Sequence, residues 1–149
     1  MTAVLEWLNA NIGVTRRSEW MLIDQHMIDR FADATFDHQF IHVDPVRAAE
    51  SYFGGTVAHG FLTLSLLPRL LFPFGDHAPA GSVTINYGFE RVRFIHPIRS
   101  GSYVSAVSTI MVVQEKAPGR YQTSVDVFVE IQGEDKPALN AVWLSQILT

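Results

Sequence analysis

The chain has 149 residues, 48% hydrophobic and 17% charged, which sets the expectation of one domain with one core and excludes a disordered chain. The absence of cysteine excludes disulfide scaffolds, thiol catalysis and thiolate metal sites, and makes a reducing cytoplasm the expected location. Eleven Lys and Arg against fifteen Asp and Glu give a net charge of −4 with no basic stripe, so no nucleic-acid partner is expected.

The opening TAVLEWLNAN, residues 2 to 11, reads as a short helix: Val4, Leu5 and Leu8 recur at helical spacing and Gly13 lies just past its end. It carries Glu6 and no basic region, so it does not read as a signal peptide. Trp20 to Ile23 is an apolar run of strand type. Asp24 is placed to cap a helix over QHMIDRFADAT, in which Met27, Ile28, Phe31 and Ala32 share a side. A smaller helix is predicted from Asp44-Pro45, with Asp as cap and Pro at the first helical position, through VRAAESYF to a stop at Gly54-Gly55.

The segment GFLTLSLLPRLLF, residues 60 to 72, is apolar nearly all round. That predicts a helix wrapped by other structure, with a kink or an early end at Pro68. Its stretch FLTLSLL is too short to span a bilayer, and no membrane partner is expected. From Gly81 onward the texture is β. VTINYGF, RVRFIHPI, SYVSAVSTIMVVQ, RYQTSVDVFVEI and ALNAVWLSQIL are rich in β-branched and aromatic residues and are bounded by turn signals. Val125, Val127, Val129 and Ile131 alternate with Asp126, Phe128 and Glu130, as in an antiparallel strand with one covered face. A greasy helix followed by about four or five long strands predicts an α+β arrangement, a curved antiparallel sheet wrapped around a long apolar central helix.

Titratable side chains scatter except between Asp33 and Gly60, where Asp37, His38, His42, Asp44 and His59 gather between helices. Asp37 and His42 can converge on one water if the intervening loop turns, and imidazole serves as acid or base near neutral pH. His59-Gly60 opens the apolar helix, where free backbone N–H groups attract developing negative charge. Asp44 reads as a cap. His38 and His42 would need helical spacing and a third ligand to hold zinc; no third ligand is evident, so no metal is expected. There is no GxSxG elbow and no Gly-rich phosphate loop. His77 and His96 read as loop or turn residues, and Trp7, Trp20 and Trp143 as core or interface residues.

The stretch from Asp33 to Leu67 resembles the MaoC-like dehydratases, the R-specific enoyl-CoA hydratases of the hot-dog fold, and within them the nodulation-protein-N-like branch. The family's hydratase motif, Gly-Asp-x-Asn-Pro-(Ile/Leu)-His, aligns with Phe36-Asp37-His38-Gln39-Phe40-Ile41-His42. HVDPVRAAESYFGGTVAHGFLTLSLLP continues the match, and INYGFERVRF and the Pro97 to Gly101 turn are also similar. The resemblance implies a single hot-dog domain acting as a hydro-lyase: reversible syn addition of water across a trans-2-enoyl thioester to give the R-3-hydroxyacyl-CoA. It implies Asp37 and His42 as the catalytic pair, Gly60 as the backbone oxyanion donor, and His59 and Gln39 beside the substrate. No metal or redox cofactor is implied, because the thioester supplies the activation, and the implied assembly is a homodimer. The alternatives are an acyl-CoA-binding hot-dog protein without catalysis and a hot-dog thioesterase. Arg91 and Arg93 share one face of a predicted strand, toward the CoA phosphates or toward solvent. Three positions depart from the motif. Gln39 keeps an amide, Phe40 keeps an apolar wall, and Phe36 stands at the usual Gly, where a positive φ would strain it.

Overall fold

The computed structural model describes residues 2–72 and 80–149; His77 lies outside them. Helix α1 (Ala3–Ala10) starts at Thr2, whose hydroxyl accepts the Leu5 amide at 3.2 Å and shares a hydrogen bond with the Tyr121 hydroxyl at 2.8 Å. Buried Val4 and Leu8 pack with Tyr121 and Ile147 as a small satellite core. Strands β1 (Thr15–Arg17) and β2 (Met21–Ile23) follow, then α2 (Gln25–Thr35), whose Asp24 cap accepts the Met27 amide at 2.8 Å. Two short helices come next, α3 (Phe40–Val43) and α4 (Pro45–Ala49). The cap expected at Asp44 is present, its carboxylate accepting the Arg47 amide at 3.1 Å.

Helix α5 (Gly60–Ser65) and helix α6 (Leu67–Leu71) replace the single long helix expected from the sequence. Pro68 has no amide hydrogen to offer the Leu64 carbonyl, so the helical ladder breaks and restarts around Leu66. Leu62, Leu67 and Leu70 are buried against Ala106, Val127 and Ala141 of the sheet. Phe61, however, is 68% exposed, so the sheet of one chain covers only one side of this apolar segment.

The sheet is completed by β3 (Val83–Phe94), β4 (Ser102–Ala117), β5 (Arg120–Ile131) and β6 (Leu139–Leu148), in the order β1-β4-β5-β6-β3, with β2 beside β1 on the same edge of β4. Every pairing of named strands is antiparallel. The alternation predicted along β5 holds: Val127, Val129 and Ile131 are buried while Phe128 faces out. Trp143 joins the main core, whereas Trp7 and Trp20 are partly exposed.

Two local expectations are corrected by the fold, and two short elements were not anticipated. VTINYGF and RVRF are one strand, β3, whose register slips between Asn86 and Gly88 and between Phe89 and Arg91; such bulges let a single strand curve without ending. Strand β1 and helix α3 carry no sequence signal, being only three and four residues long. Helix α4 stops at Ala49 instead of continuing through Phe53, because the Ser51 hydroxyl takes the Ala48 carbonyl at 2.6 Å and competes with further helical bonding.

Leu67 is fully buried where α6 meets the sheet. Leu67→Ala is expected to lower the unfolding free energy by about 2–5 kcal/mol, read from urea unfolding, because the rigid sheet cannot collapse onto the void.

Candidate active site

The segment between α2 and α5 carries the site. Helix α2 ends at Phe36, the only non-glycine residue with positive φ among the described residues (φ 61°, ψ 22°). A left-handed residue reverses the chain after a helix and is usually glycine. Here the reversal swings Asp37 back toward α5, and the Phe36 ring is 87% exposed, so it does not plug the site. The Asp37 carboxylate accepts the Gln39 amide at 3.4 Å, which leads the chain into α3.

His42 is buried within α3. Its Nδ1–H donates to the Val57 carbonyl at 2.6 Å; a carbonyl only accepts, so Nδ1 carries the proton and Nε2 is left as a bare lone pair. Burial pushes the His42 pKa below the ordinary imidazole value, and the neighbouring His59 adds to this. The Val57 carbonyl and the Asp37 carboxylate pull the other way. His42 is therefore neutral at neutral pH.

His59, just before α5, completes the cluster. Its ring stacks on that of His42, centroids 3.7 Å apart at 23°, and its Nε2 donates to the Asp37 backbone carbonyl at 2.9 Å. Asp37, His42 and His59 each bring one oxygen or nitrogen to within 4.8 Å of the others. The third potential metal ligand that the sequence did not reveal is thus His59. On both rings one nitrogen is already engaged by a backbone carbonyl, Nδ1 of His42 by Val57 and Nε2 of His59 by Asp37, which leaves one nitrogen on each. A water molecule can donate to two acceptors of such a set at once.

Gly60 opens α5, and no side chain caps its first-turn amides. A Cβ at Gly60 would lie 2.9 Å from the Phe94 ring, so glycine alone lets that ring close against the helix start. His42 and Gly60 line one cleft of about 250 Å³ whose walls are mostly apolar, including Ile41, Val57, Ile98 and Ala138. The entry to α5 is pinned to the end of the sheet, the Ala58 amide bonding to the Ile98 carbonyl at 2.8 Å and the Ser100 amide to Thr56 at 2.9 Å.

The remaining predicted residues fall around this centre. Gln39 is exposed at the start of α3. His38 turns away and pairs with Asp33 at 2.8 Å. Arg91 and Arg93 are exposed on β3; Arg91 donates to Asn140 at 2.7 Å and Arg93 to the Val92 carbonyl at 3.0 Å. His96, read as a turn residue, lines the cleft and lies 3.7 Å from Glu134. Gln25 was missed altogether: its amide donates to the His42 carbonyl at 2.7 Å and its oxygen accepts from Thr56 at 2.5 Å. As one more polar residue in a helix first turn, it carried no sequence signal.

A hot-dog sheet bearing a carboxylate beside a buried imidazole, with that imidazole and the start of a helix sharing one apolar cleft, is the arrangement of a hydro-lyase. The chain belongs to the MaoC-like dehydratase family: residues 9–134 match the MaoC like domain. It is 48% identical over 132 residues to nodulation protein N of Rhizobium leguminosarum bv. viciae, covering 88% of this chain and 82% of that one. It is 47% identical over 122 residues to 3-hydroxyacyl-thioester dehydratase Z of Mycobacterium tuberculosis, covering 82% and 80%. Among solved structures, the monoamine oxidase regulatory protein of Archaeoglobus fulgius superposes with a TM-score of 0.81 at 21% identity, covering 93% and 90% of the two chains. The (R)-hydratase of A. caviae superposes with a TM-score of 0.72 at 23% identity, covering 90% and 94%.

The depressed pKa of His42 has a thermodynamic consequence. Below about pH 6.5 an unfolded imidazole protonates while the folded ring resists, so unfolding takes up a proton. The His42 contribution to stability is full above that pH and is lost as pH falls toward the folded pKa. Urea unfolding at about pH 7.5 and about pH 5.5 is expected to show a smaller acid loss in His42→Gln than in the unmodified chain.

Proposed function

We propose that this enzyme hydrates trans-2-enoyl thioesters to R-3-hydroxyacyl thioesters, and runs the reverse dehydration, with coenzyme A as the carrier. The observation that carries the reading is the approach of the Asp37 carboxylate to within 4.8 Å of a ring nitrogen of His42, whose Nδ1 is held by Val57, together with the place of His42 and Gly60 in one cleft. In this mechanism a water molecule donates one hydrogen to Asp37 and the other to His42. As its oxygen attacks C3, His42 takes a proton and electron density moves through C2 to the thioester oxygen. The Gly60 amide holds that oxyanion; losing one such donor typically costs about 100- to 1,000-fold in rate. The imidazolium then delivers its proton to C2 on the same face, which makes the addition syn and returns His42 to its neutral form. Water has added as hydroxyl to C3 and hydrogen to C2, and the thioester is intact.

Several features support the rest of the reading. The apolar cleft walls suit an acyl chain, and we assign exposed Gln39, at the start of the helix that carries His42, to the substrate side. Strand β3 leads directly into the wall residues Phe94 and Ile95, so Arg91 and Arg93 are the cations we assign to the phosphates of the carrier. Such thioesters are cytoplasmic metabolites, in keeping with the cysteine-free sequence. We further propose a homodimer joined along β3. Among the described residues β3 pairs only with β6, and its outward Val83, Ile85 and Tyr87 are exposed, a combination that invites a second sheet.

Two experiments test these proposals. With a short enoyl-CoA, loss of the conjugated enoyl absorbance without release of free thiol is expected, and Asp37→Asn or His42→Gln should each slow it by about 100- to 10,000-fold. Thiol release without hydration would instead establish a thioesterase. The double substitution Ile85→Lys with Tyr87→Lys is expected to sediment as a folded monomer where the unmodified chain sediments as a dimer, because like charges would face each other across the joined edge.

A further inference from the structure

We propose that His59 is a positioning residue for this hydration: its Nε2–H fixes the main chain of the Asp37 loop while its ring face fixes the plane of His42. The inference rests on the hydratase reading and adds to it a residue that need not touch the substrate.

The geometry is specific. His59 is 3% exposed and sits between two rings, Phe31 of α2 at 4.9 Å and His42 of α3 at 3.7 Å. Its Nε2 reaches the Asp37 carbonyl at 2.9 Å, twenty-two residues back along the chain. One side chain at the start of α5 therefore touches α2, the catalytic loop and α3 together. The loop needs such an anchor, because it leaves α2 through Phe36 in a left-handed conformation that a phenylalanine adopts at a cost.

The second observation concerns the other ring nitrogen. Because the Asp37 carbonyl can only accept, the proton of neutral His59 lies on Nε2, and Nδ1 is left as a buried acceptor without a hydrogen-bond partner. An unpaired buried acceptor is unfavourable, and a phenylalanine would fill the same space without it. What imidazole supplies here and phenylalanine does not is the Nε2–H donor. The side-chain amide of glutamine reaches about as far as Nε2, whereas that of asparagine stops short.

The test compares three variants. His59→Phe, which keeps the ring and loses the donor, is expected to lower kcat by about 10- to 100-fold with KM changed less than about threefold, as for a sub-ångström misplacement of reacting groups. His59→Asn should match it. His59→Gln should stay within about fivefold of the unmodified enzyme. Equal loss in His59→Gln and His59→Phe, full activity in His59→Phe, or a change confined to KM would each overturn the proposal. A separate readout stands apart from catalysis: amide hydrogen exchange over residues 36–39 should quicken in His59→Phe and His59→Asn but not in His59→Gln. Uniform exchange in all of them would overturn the anchoring role. An unmodified enzyme that hydrates no enoyl thioester, with exchange still following this pattern, would overturn the hydratase reading alone.

Discussion

The hydrogen bond from His42 Nδ1 to the Val57 carbonyl is the constraint on which the site depends. It joins α3 to the strand-like entry of α5, and the Val57 amide returns the connection by bonding to the Ile41 carbonyl at 2.9 Å. The same residues that hold the imidazole are pinned to the sheet through Ile98 and Ser100. One bond thereby sets three properties at once: the position of His42, the tautomer that leaves Nε2 bare, and the distance from the imidazole to the α5 amides. Gln25 braces the arrangement from α2, bonding at one end to the His42 carbonyl and at the other to Thr56.

Asp37 and His42 are held in contrasting environments. Asp37 is exposed, whereas His42 is buried and its pKa is lowered by that burial. In the proposed hydration, groups with environments of this kind divide the acid–base work, because only one of them changes charge during the step. The left-handed Phe36 belongs to the same design. It reverses the chain within one residue, so that a carboxylate beginning at the end of α2 arrives beside a ring on α3.

The sheet supplies the rigid side of this arrangement and also its unfinished surface. Its covered face receives Leu62, Leu67 and Leu70, which fixes the axis of α5 and with it the direction of the Gly60 amide. On the other side of that segment Phe61 meets Phe94 edge-on at 5.8 Å and remains largely exposed, beside β3, which among the described residues pairs only with β6. The cleft wall at Phe94 and the edge strand are thus one continuous element, so whatever covers β3 also bears on the mouth of the site.

Much of this was legible in the chain as written. The caps at Asp24 and Asp44, the break at Pro68 and the alternation along β5 depend on residues within a turn or two of one another, and local stereochemistry sets them. The pairing of Asp37 with His42 was suggested by spacing and sharpened by resemblance to a family, while spacing alone left it open. The stacking of His59 on His42, its bond to the Asp37 carbonyl, the Gln25 brace and the continuity of β3 through two bulges had no sequence signal. Each joins residues that the chain brings together only after reversing direction, and the free energy that favours them comes from burying the helices on the sheet. The sequence by itself determined which groups are present and which segments are helix or strand; tertiary packing decided which lone pairs face each other, since that depends on distances no local pattern encodes.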